Sequence, residues 1–240
     1  MSVNPGLSTT IASGQFFYRI TPIAFSGGLP AEHPRVVSGE GGIKSAEGAR
    51  YNYPGVRTVY LTQDLETCFA ERMFYFHRKV LDGIDHSPVL GAPPPFQQQF
   101  TLWTVSFAHP IKDVVDLTIP GAVSYFRIFP SLTLNPSQDY LHLKQRRAEI
   151  QSQGYLGLIV GSSRAINQSN LVVLFQDQSS NVQSITPHEV EFRLIDEHGK
   201  PFHNHATQLL DFTAGEVRFT GTTPSHGAAF KDWQRVAFNH

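Results

Sequence analysis

The pattern that decides the fold lies in residues 45–71, S-A-E-G-A-R-Y-N-Y-P-G-V-R-T-V-Y-L-T-Q-D-L-E-T-C-F-A-E. The Gly- and Asn-containing first part predicts a loop, T-V-Y-L at 58–61 a short strand, and residues 64–79 a helix with Thr62 or Asp64 as N-cap. Arg50, Tyr60 and Glu71 then fall on three successive elements. With Arg19 upstream and Ser162 downstream, they form a set suited to holding an anionic dinucleotide.

The composition indicates a folded domain with a substantial core. The chain has 240 residues, of which 40% are hydrophobic, 16% are charged and 18 are Phe, which is not a disordered composition. The formal charge of -1 argues against non-specific binding to nucleic acid or to an anionic membrane. We therefore expect neither a nucleic-acid partner nor a membrane partner.

The single cysteine and the first residues of the sequence bear on the cellular compartment of the protein. Cys68 alone forms neither an intrachain disulfide nor a cysteine zinc cluster, which favours a reducing compartment. The first residues lack a basic region followed by an apolar run, and no apolar segment reaches the length of a membrane span. The expected site of action is cytoplasmic, and delivery into other cells stays an open alternative.

We predict a flexible N-terminus at 1–14 and a single domain at 15–240, with a core at 16–176 and a β-rich extension at 185–240. Surface loops are expected at 26–57 and 83–99, and a second helix at 139–153 with Leu141, Ala148 and Ile150 among its apolar positions. Further strands are predicted at 15–20, 100–107, 114–117, 156–161, 171–175, 189–195 and 216–220. Strands outnumber helices without alternating with them, which favours an α+β fold around a mixed or antiparallel sheet.

Glu71 lies on an unusual side of its predicted helix. At 100° per residue an apolar stripe forms from Leu65, Phe69, Met73 and Phe76. Glu71 lies nearly opposite, where its neighbours are Thr67, Phe74 and Tyr75, so this second side is predicted to be covered or to line a pocket. The alternative is an exposed Glu71 beside incidental aromatics, with Glu66 as the second candidate carboxylate.

The other candidates also have simpler interpretations. Arg19 lies in the apolar strand F-F-Y-R-I, either for a function or on the polar face of an edge strand. Arg50 precedes a strand, where a solvated arginine would be ordinary, although a planar guanidinium suits pyrophosphate. Ser162 follows a buried strand and a glycine, where a ligand site and a routine turn are both possible.

Metal and thiol chemistry have weaker support in the sequence. His198, His203 and His205 are close in sequence, but they lack the spacing of a zinc motif or a cysteine partner. Cys68 falls near the apolar side of its helix and is predicted to be packed rather than nucleophilic.

Five segments in order resemble the RES domain, a family named for its Arg, Glu and Ser. They are Y-R at 18–19, S-A-E-G-A-R-Y-N-Y-P-G at 45–55, T-V-Y-L at 58–61, E-T-C-F-A-E at 66–71 and G-Y-L-G-L-I-V-G-S-S-R at 154–164, the last followed by L-V-V-L-F. The family pattern has Gly-Gly-Arg-Trp-Asn where this chain has Gly-Ala-Arg-Tyr-Asn at 48–52, a mild departure that keeps an aromatic after the arginine. The resemblance spans about 16–176 and leaves 83–99 and 185–240 uncovered.

The resemblance implies a fold like that of ADP-ribosyltransferase toxins, in which a split sheet grips NAD. It implies a toxin that cleaves the nicotinamide–ribose bond of NAD, often paired with an antitoxin or immunity protein. By position, the family's residues fall on Arg19, Arg50, Tyr60, Glu71 and Ser162, with Ser163 as the alternative and Tyr51 as a further NAD-binding residue. Glu71, Arg19 and Ser162 would be catalytic, with no metal or cofactor besides NAD as substrate.

The resemblance leaves the acceptor open. The same site could transfer ADP-ribose to a protein or nucleotide, or use phosphate in place of water. An alternative of another class is a β-rich binding module without catalysis, whose aromatic residues serve a partner surface.

Overall fold

The computed structural model describes residues 3–23, 35–40, 48–85, 97–128, 139–165, 170–195, 198–200, 214–225, 230 and 232–237. The described strands are β1 (Ser8–Ile11), β2 (Phe16–Pro22), β3 (Val59–Thr62), β4 (Gln97–Phe107), β5 (Ile111–Asp116), β6 (Gly157–Gly161), β7 (Asn170–Leu174), β8 (Val182–Leu194), β9 (Ala214–Phe219) and β10 (Gln234–Ala237). The described helices are α1 (Arg35–Ser38), α2 (Leu65–Asp85), α3 (Pro120–Phe126) and α4 (Asp139–Ser152).

The ten described strands form one mixed sheet in the order β1-β5-β6-β7-β3-β2-β4-β8-β9-β10. Strands β5 and β6 pair in parallel, whereas the other neighbouring strands pair antiparallel. The predicted α+β class with a mixed, mostly antiparallel sheet is confirmed.

The sheet is split near its middle. Strands β2 and β3 share a single residue pair, Tyr18 with Thr62, whereas β2 pairs with β4 through seven residues. Since neighbouring strands separated by more than about 5 Å cannot exchange backbone hydrogen bonds, β2 and β3 diverge on either side of this pair. The divergence leaves room for a cavity between them.

Helix α2 begins where the sequence predicts. The Asp64 carboxylate accepts a hydrogen bond from the Thr67 backbone N–H at 2.7 Å, which identifies Asp64 as the N-cap. All four residues of the predicted apolar stripe are buried. Phe69 packs edge-on against Phe192 of β8, with ring centroids 5.9 Å apart, so the stripe seats the helix on the sheet.

Helix α4 has the predicted bounds within a residue, but its inner side differs from the prediction. Leu141 is exposed, as is Ala148, whereas Leu143, Arg147 and Ile150 are buried. Spacings of four and three residues place these three on one side, with the Arg147 guanidinium stacked on Phe175, 4.5 Å from the ring centroid. The arginine belongs to the inner side because an aromatic face accepts its charge.

The N-terminal segment differs most from expectation. Residues 1–14 were predicted to be flexible, yet Ser8–Ile11 form strand β1 and pair with β5. Ile11 is buried, and this contact fixes a segment that is otherwise small and polar. Of the loop predicted at 83–99, residues 83–85 belong to α2 and 97–99 to β4, while 86–96 lie outside the described residues, as do 24–34 and 41–47 of the loop predicted at 26–57.

The C-terminal extension continues the sheet. Strand β8 pairs with β4 through eleven residues of β4, and β9 and β10 follow on its other side. On this part of the sheet, ion pairs join Arg193 to Glu216 and Arg218 to Glu191, and both guanidiniums stack on the Trp233 ring. The extension thus shares one sheet with the 16–176 core.

None of the described helices combines the length and apolar character needed to cross a membrane.

Candidate active site

A cavity of about 820 Å³ opens at the split between β2 and β3. Its described wall comes from β2, β3 and β7, from the loop before β3, and from helices α2 and α4. The wall residues are Tyr18, Arg19, Ile20, Gly48, Ala49, Arg50, Tyr53, Tyr60, Leu61, Thr62, Cys68, Glu71, Arg72, Tyr75, Tyr140, Leu141, Lys144 and Leu171. The volume is within the range of small-molecule sites.

Glu71 lies in this wall and is held by two partners. The Arg50 guanidinium donates to both carboxylate oxygens, at 3.4 Å and 3.5 Å. The Ser162 hydroxyl donates to Oε1 at 2.7 Å. We call Arg50, Glu71 and Ser162 the carboxylate cluster. Residues from a loop, a helix and a strand end therefore fix one acidic group beside a cavity.

The attraction between the Arg50 and Glu71 charges offsets the cost of burying the Arg50 guanidinium. The Arg50 side chain is 3% exposed and that of Glu71 is 14% exposed. Burial acts to lower the pKa of Arg50, but the Glu71 carboxylate and nearby tyrosines outweigh it and the pKa is raised. Arg50 thus remains charged at any pH at which the protein is folded.

Ser162 contacts Glu71 and does not itself contribute to the described cavity wall. Its oxygen accepts hydrogen bonds from the backbone N–H groups of Arg164 and Ala165, each at 3.1 Å, so its proton is directed to Glu71. The Ser163 hydroxyl is buried and hydrogen-bonds to no described residue. Of the two serines, Ser162 is the one that contacts the carboxylate.

The turn after Ser162 is packed against helix α2. The guanidinium of Arg164 lies over the Phe74 ring, 3.7 Å from its centroid, and Phe74 lies one helical turn beyond Glu71. The Arg164 side chain is fully buried, so the stacking holds the turn and the helix in register.

A tight loop places Arg50 at the cavity. Ala49 and Asn52 exchange backbone hydrogen bonds at 3.0 Å and 3.3 Å, which turns the chain around Arg50 and Tyr51. Gly48 has φ +74°, and a Cβ there would lie 2.2 Å from the Asn52 carbonyl oxygen. The loop therefore requires glycine at 48.

Tyr60 lies in the cavity wall, but its hydroxyl is used to hold this loop. It donates to the Asn52 side-chain oxygen at 2.8 Å and accepts from the Tyr51 N–H at 3.0 Å. The Tyr51 side chain is fully buried in the core beside α3 and lies outside the cavity wall. Tyr51, which was predicted to bind NAD, thus lies in the core behind the loop and not in the cavity wall.

Arg19 reaches the cavity from β2. One of its terminal nitrogens donates to the Val36 carbonyl oxygen at 2.5 Å, and it forms no ion pair with a described residue. Burial lowers the pKa of Arg19, opposed by Cys68 and Tyr60. This arginine thus enters the wall without a carboxylate to balance its charge.

Several wall residues were not among the candidate site residues of the sequence, although Tyr75 was predicted to lie on a covered or pocket-lining side of its helix. Arg72 and Tyr75 come from α2, while Tyr140 and Lys144 come from α4. The signal for Arg72 is its position seven residues after Leu65, on the apolar stripe of the helix, where a charged residue is unexpected.

Two alternatives from the sequence are settled by position. Glu66 is exposed and lies outside the cavity wall. Cys68 lies in the wall but is buried, and burial raises the pKa of its thiol to about 12, so it stays neutral at physiological pH. Among the described residues no group of His, Cys, Asp and Glu could hold a metal ion; His203 and His205 lie outside them.

No curated protein matches the chain in sequence. A solved structure with similarity is the crystal structure of the M. tuberculosis MbcT–MbcA toxin–antitoxin complex, with 16% identity and a TM-score of 0.45 over 78% of this chain and 93% of that chain.

The model of the RES domain family matches residues 23–195, more than half of the chain. The matched range contains Arg50, Tyr60, Glu71 and Ser162, whereas Arg19 precedes it. The chain belongs to the RES domain family.

Proposed function

We propose that this protein is a toxin of the NAD glycohydrolase type, which cleaves NAD into nicotinamide and ADP-ribose and so depletes cellular NAD. The observation that carries the proposal is Glu71, held by Arg50 and Ser162 at 3.4 Å and 2.7 Å in the wall of a cavity of about 820 Å³. It is the one carboxylate in the described part of that wall.

One carboxylate suffices for this reaction. Ordinary glycosidases use two, because the leaving oxygen must be protonated. The nicotinamide ring of NAD already carries a positive nitrogen, so it leaves as a neutral molecule when it takes the electron pair of the C–N bond. No general acid is needed for departure.

Glu71 would stabilise the positive charge that develops on the ribose ring as the bond breaks. A carboxylate that is already fixed beside the cavity does this without having to reorganise. Water then attacks the anomeric carbon and loses a proton to Glu71 or to solvent, which yields ADP-ribose. Arg50 and Ser162 hold the carboxylate in a fixed orientation, and Arg19 supplies positive charge for the diphosphate.

The decisive experiment is to incubate purified protein with NAD and to measure nicotinamide release. We expect Glu71→Gln to lose about 100-fold or more in turnover while still binding NAD. Glu66→Gln is the matched control, because it removes an exposed carboxylate from the same helix and should leave turnover unchanged. Equal turnover in Glu71→Gln and the unchanged protein would remove Glu71 from the mechanism.

The acceptor is identified by the products of the same reaction. Hydrolysis gives free ADP-ribose, phosphate as acceptor gives a phosphorylated ADP-ribose, and transfer attaches the label from NAD to a macromolecule in a lysate. We propose water, and labelled NAD with and without added phosphate or lysate separates the three outcomes.

A protein that consumes NAD endangers the cell that makes it, so we further propose a cognate antitoxin or immunity protein that covers the cavity. Tyr75 and Leu141 lie in the cavity wall and are 43% and 56% exposed, so an apolar rim is available for contact. Co-expression of a true partner should restore growth and cellular NAD. A candidate that leaves both unchanged is not the partner.

A further inference from the structure

Arg72 is a charged residue in an apolar part of helix α2. It follows Glu71 directly but lies on a different side of the helix, seven residues after Leu65 and four before Phe76. Its guanidinium lies over the Phe100 ring of β4, 4.9 Å from the centroid, and the side chain forms part of the cavity wall. An arginine in this position needs an explanation other than solvation.

No described residue pairs with the Arg72 charge. The side chain makes neither a hydrogen bond nor an ion pair within the described part of the chain, and its Nε is buried without a partner. Burial lowers the pKa of Arg72, opposed only by Tyr75 and Cys68. Arg72 is half-buried, and since a partly buried charge without a counter-charge lacks full solvation, a bound anion would compensate it.

The balance of charges in the described wall also favours a bound anion. Four cations, Arg19, Arg50, Arg72 and Lys144, face one carboxylate, Glu71, and Arg50 is already paired with it. The whole chain, by contrast, has a formal charge of -1. Positive charge is thus concentrated where a ligand would bind.

We propose that Arg72 is an anion-binding residue of the cavity, which holds a phosphate group, while Arg50 stays with Glu71. The identity of the ligand as NAD rests on the proposed function. The phosphate could belong to the diphosphate of the dinucleotide or be free inorganic phosphate, and the experiment distinguishes these sources.

The test compares ligands that differ in phosphate. Binding of ADP-ribose, nicotinamide riboside and inorganic phosphate is measured by calorimetry for the unchanged protein, Arg72→Met and Arg72→Lys. Methionine retains an apolar contact with Phe100 but removes the charge, and lysine retains the charge. Arg235→Met, an exposed position on β10, is the matched control.

We expect Arg72→Met to weaken ADP-ribose binding about tenfold or more, because a charge-assisted hydrogen bond is lost. Arg72→Lys should retain part of the affinity, Arg235→Met all of it, and nicotinamide riboside should bind the charged and uncharged variants equally. A loss confined to inorganic phosphate also supports an anion site and identifies the free ion as its ligand.

Unchanged binding of both ADP-ribose and inorganic phosphate by a folded Arg72→Met would overturn the proposal. Should that variant not fold, a fully retained ADP-ribose affinity in Arg72→Gln would do the same. If the unchanged protein releases no nicotinamide but loses ADP-ribose affinity on Arg72→Met, the anion site stands and the proposed hydrolysis fails.

Discussion

The carboxylate cluster and the two unpaired arginines of the cavity wall, Arg19 and Arg72, use charge in opposite ways. In the cluster, Glu71 is satisfied by Arg50 and Ser162 before any ligand arrives. Arg19 and Arg72, by contrast, form no ion pair with the described residues, and burial lowers the pKa of both. Under the proposed function, Glu71 would be a preorganised catalytic group, and the charges of Arg19 and Arg72 would be compensated by the bound ligand.

The largest expected difference concerns stability. Arg50→Ala leaves Glu71 without its cation and should cost about 3–5 kcal/mol of unfolding free energy, whereas Arg19→Ala should cost much less and mainly weaken NAD binding. Urea denaturation of both variants measures the contrast.

A double-mutant cycle sharpens this result. Adding Glu71→Gln to Arg50→Ala removes the unpaired charge and should recover part of the lost stability. The contrast would be wrong if Arg50→Ala and Arg19→Ala lowered the unfolding free energy equally and the double variant regained none of it.

A smaller effect is expected within the turn that follows β6. Ser162→Ala removes the 2.7 Å hydrogen bond to Glu71 and should lower kcat about tenfold, which corresponds to about 1.4 kcal/mol. Ser163→Ala is the control, because its buried hydroxyl has no described partner and its removal should be nearly neutral. Steady-state nicotinamide release measures kcat for both variants. A greater loss in Ser163→Ala would show that Ser163, and not Ser162, is the serine that supports turnover.

The smallest effect should come from Tyr60→Phe. The hydroxyl links the loop at 51–52 to β3, and its removal should cost about 1 kcal/mol in stability with a modest rise in KM. Tyr125→Phe, at a side chain that is 60% exposed, is the control in thermal melts. If Tyr60→Phe abolished turnover with unchanged stability, the hydroxyl would act on the substrate instead of the loop.

The sequence predicted best those helices and strands in which the hydrophobic pattern extends over many residues. Helix α2 could be located from its apolar stripe and its N-cap, Asp64, and β4 from its apolar residues. Strand β1 was missed because four residues, of which only Ile11 is buried, carry almost no periodic signal, and their pairing with β5 is a long-range contact.

The candidate site was predicted in its membership more than in its contacts. Arg19, Arg50, Tyr60 and Glu71 do meet in one cavity wall, but the sequence could not indicate that Arg50 pairs with Glu71 or that Tyr51 is buried away from the cavity. Both depend on how the loop turns at Gly48. Arg72 could not be identified because a single cation on the apolar stripe does not reveal from sequence alone that it stacks on Phe100 and lines a cavity.

The outermost strands of the sheet, β1 and β10, have four residues each. An edge strand exposes unpaired backbone N–H and C=O groups to which a strand of another molecule can add. Edges of this length offer a strand of another molecule only a few hydrogen bonds, so the two outer strands of the described sheet are short templates for aggregation. The short length of β1 and β10 therefore limits the addition of strands from other molecules to this sheet.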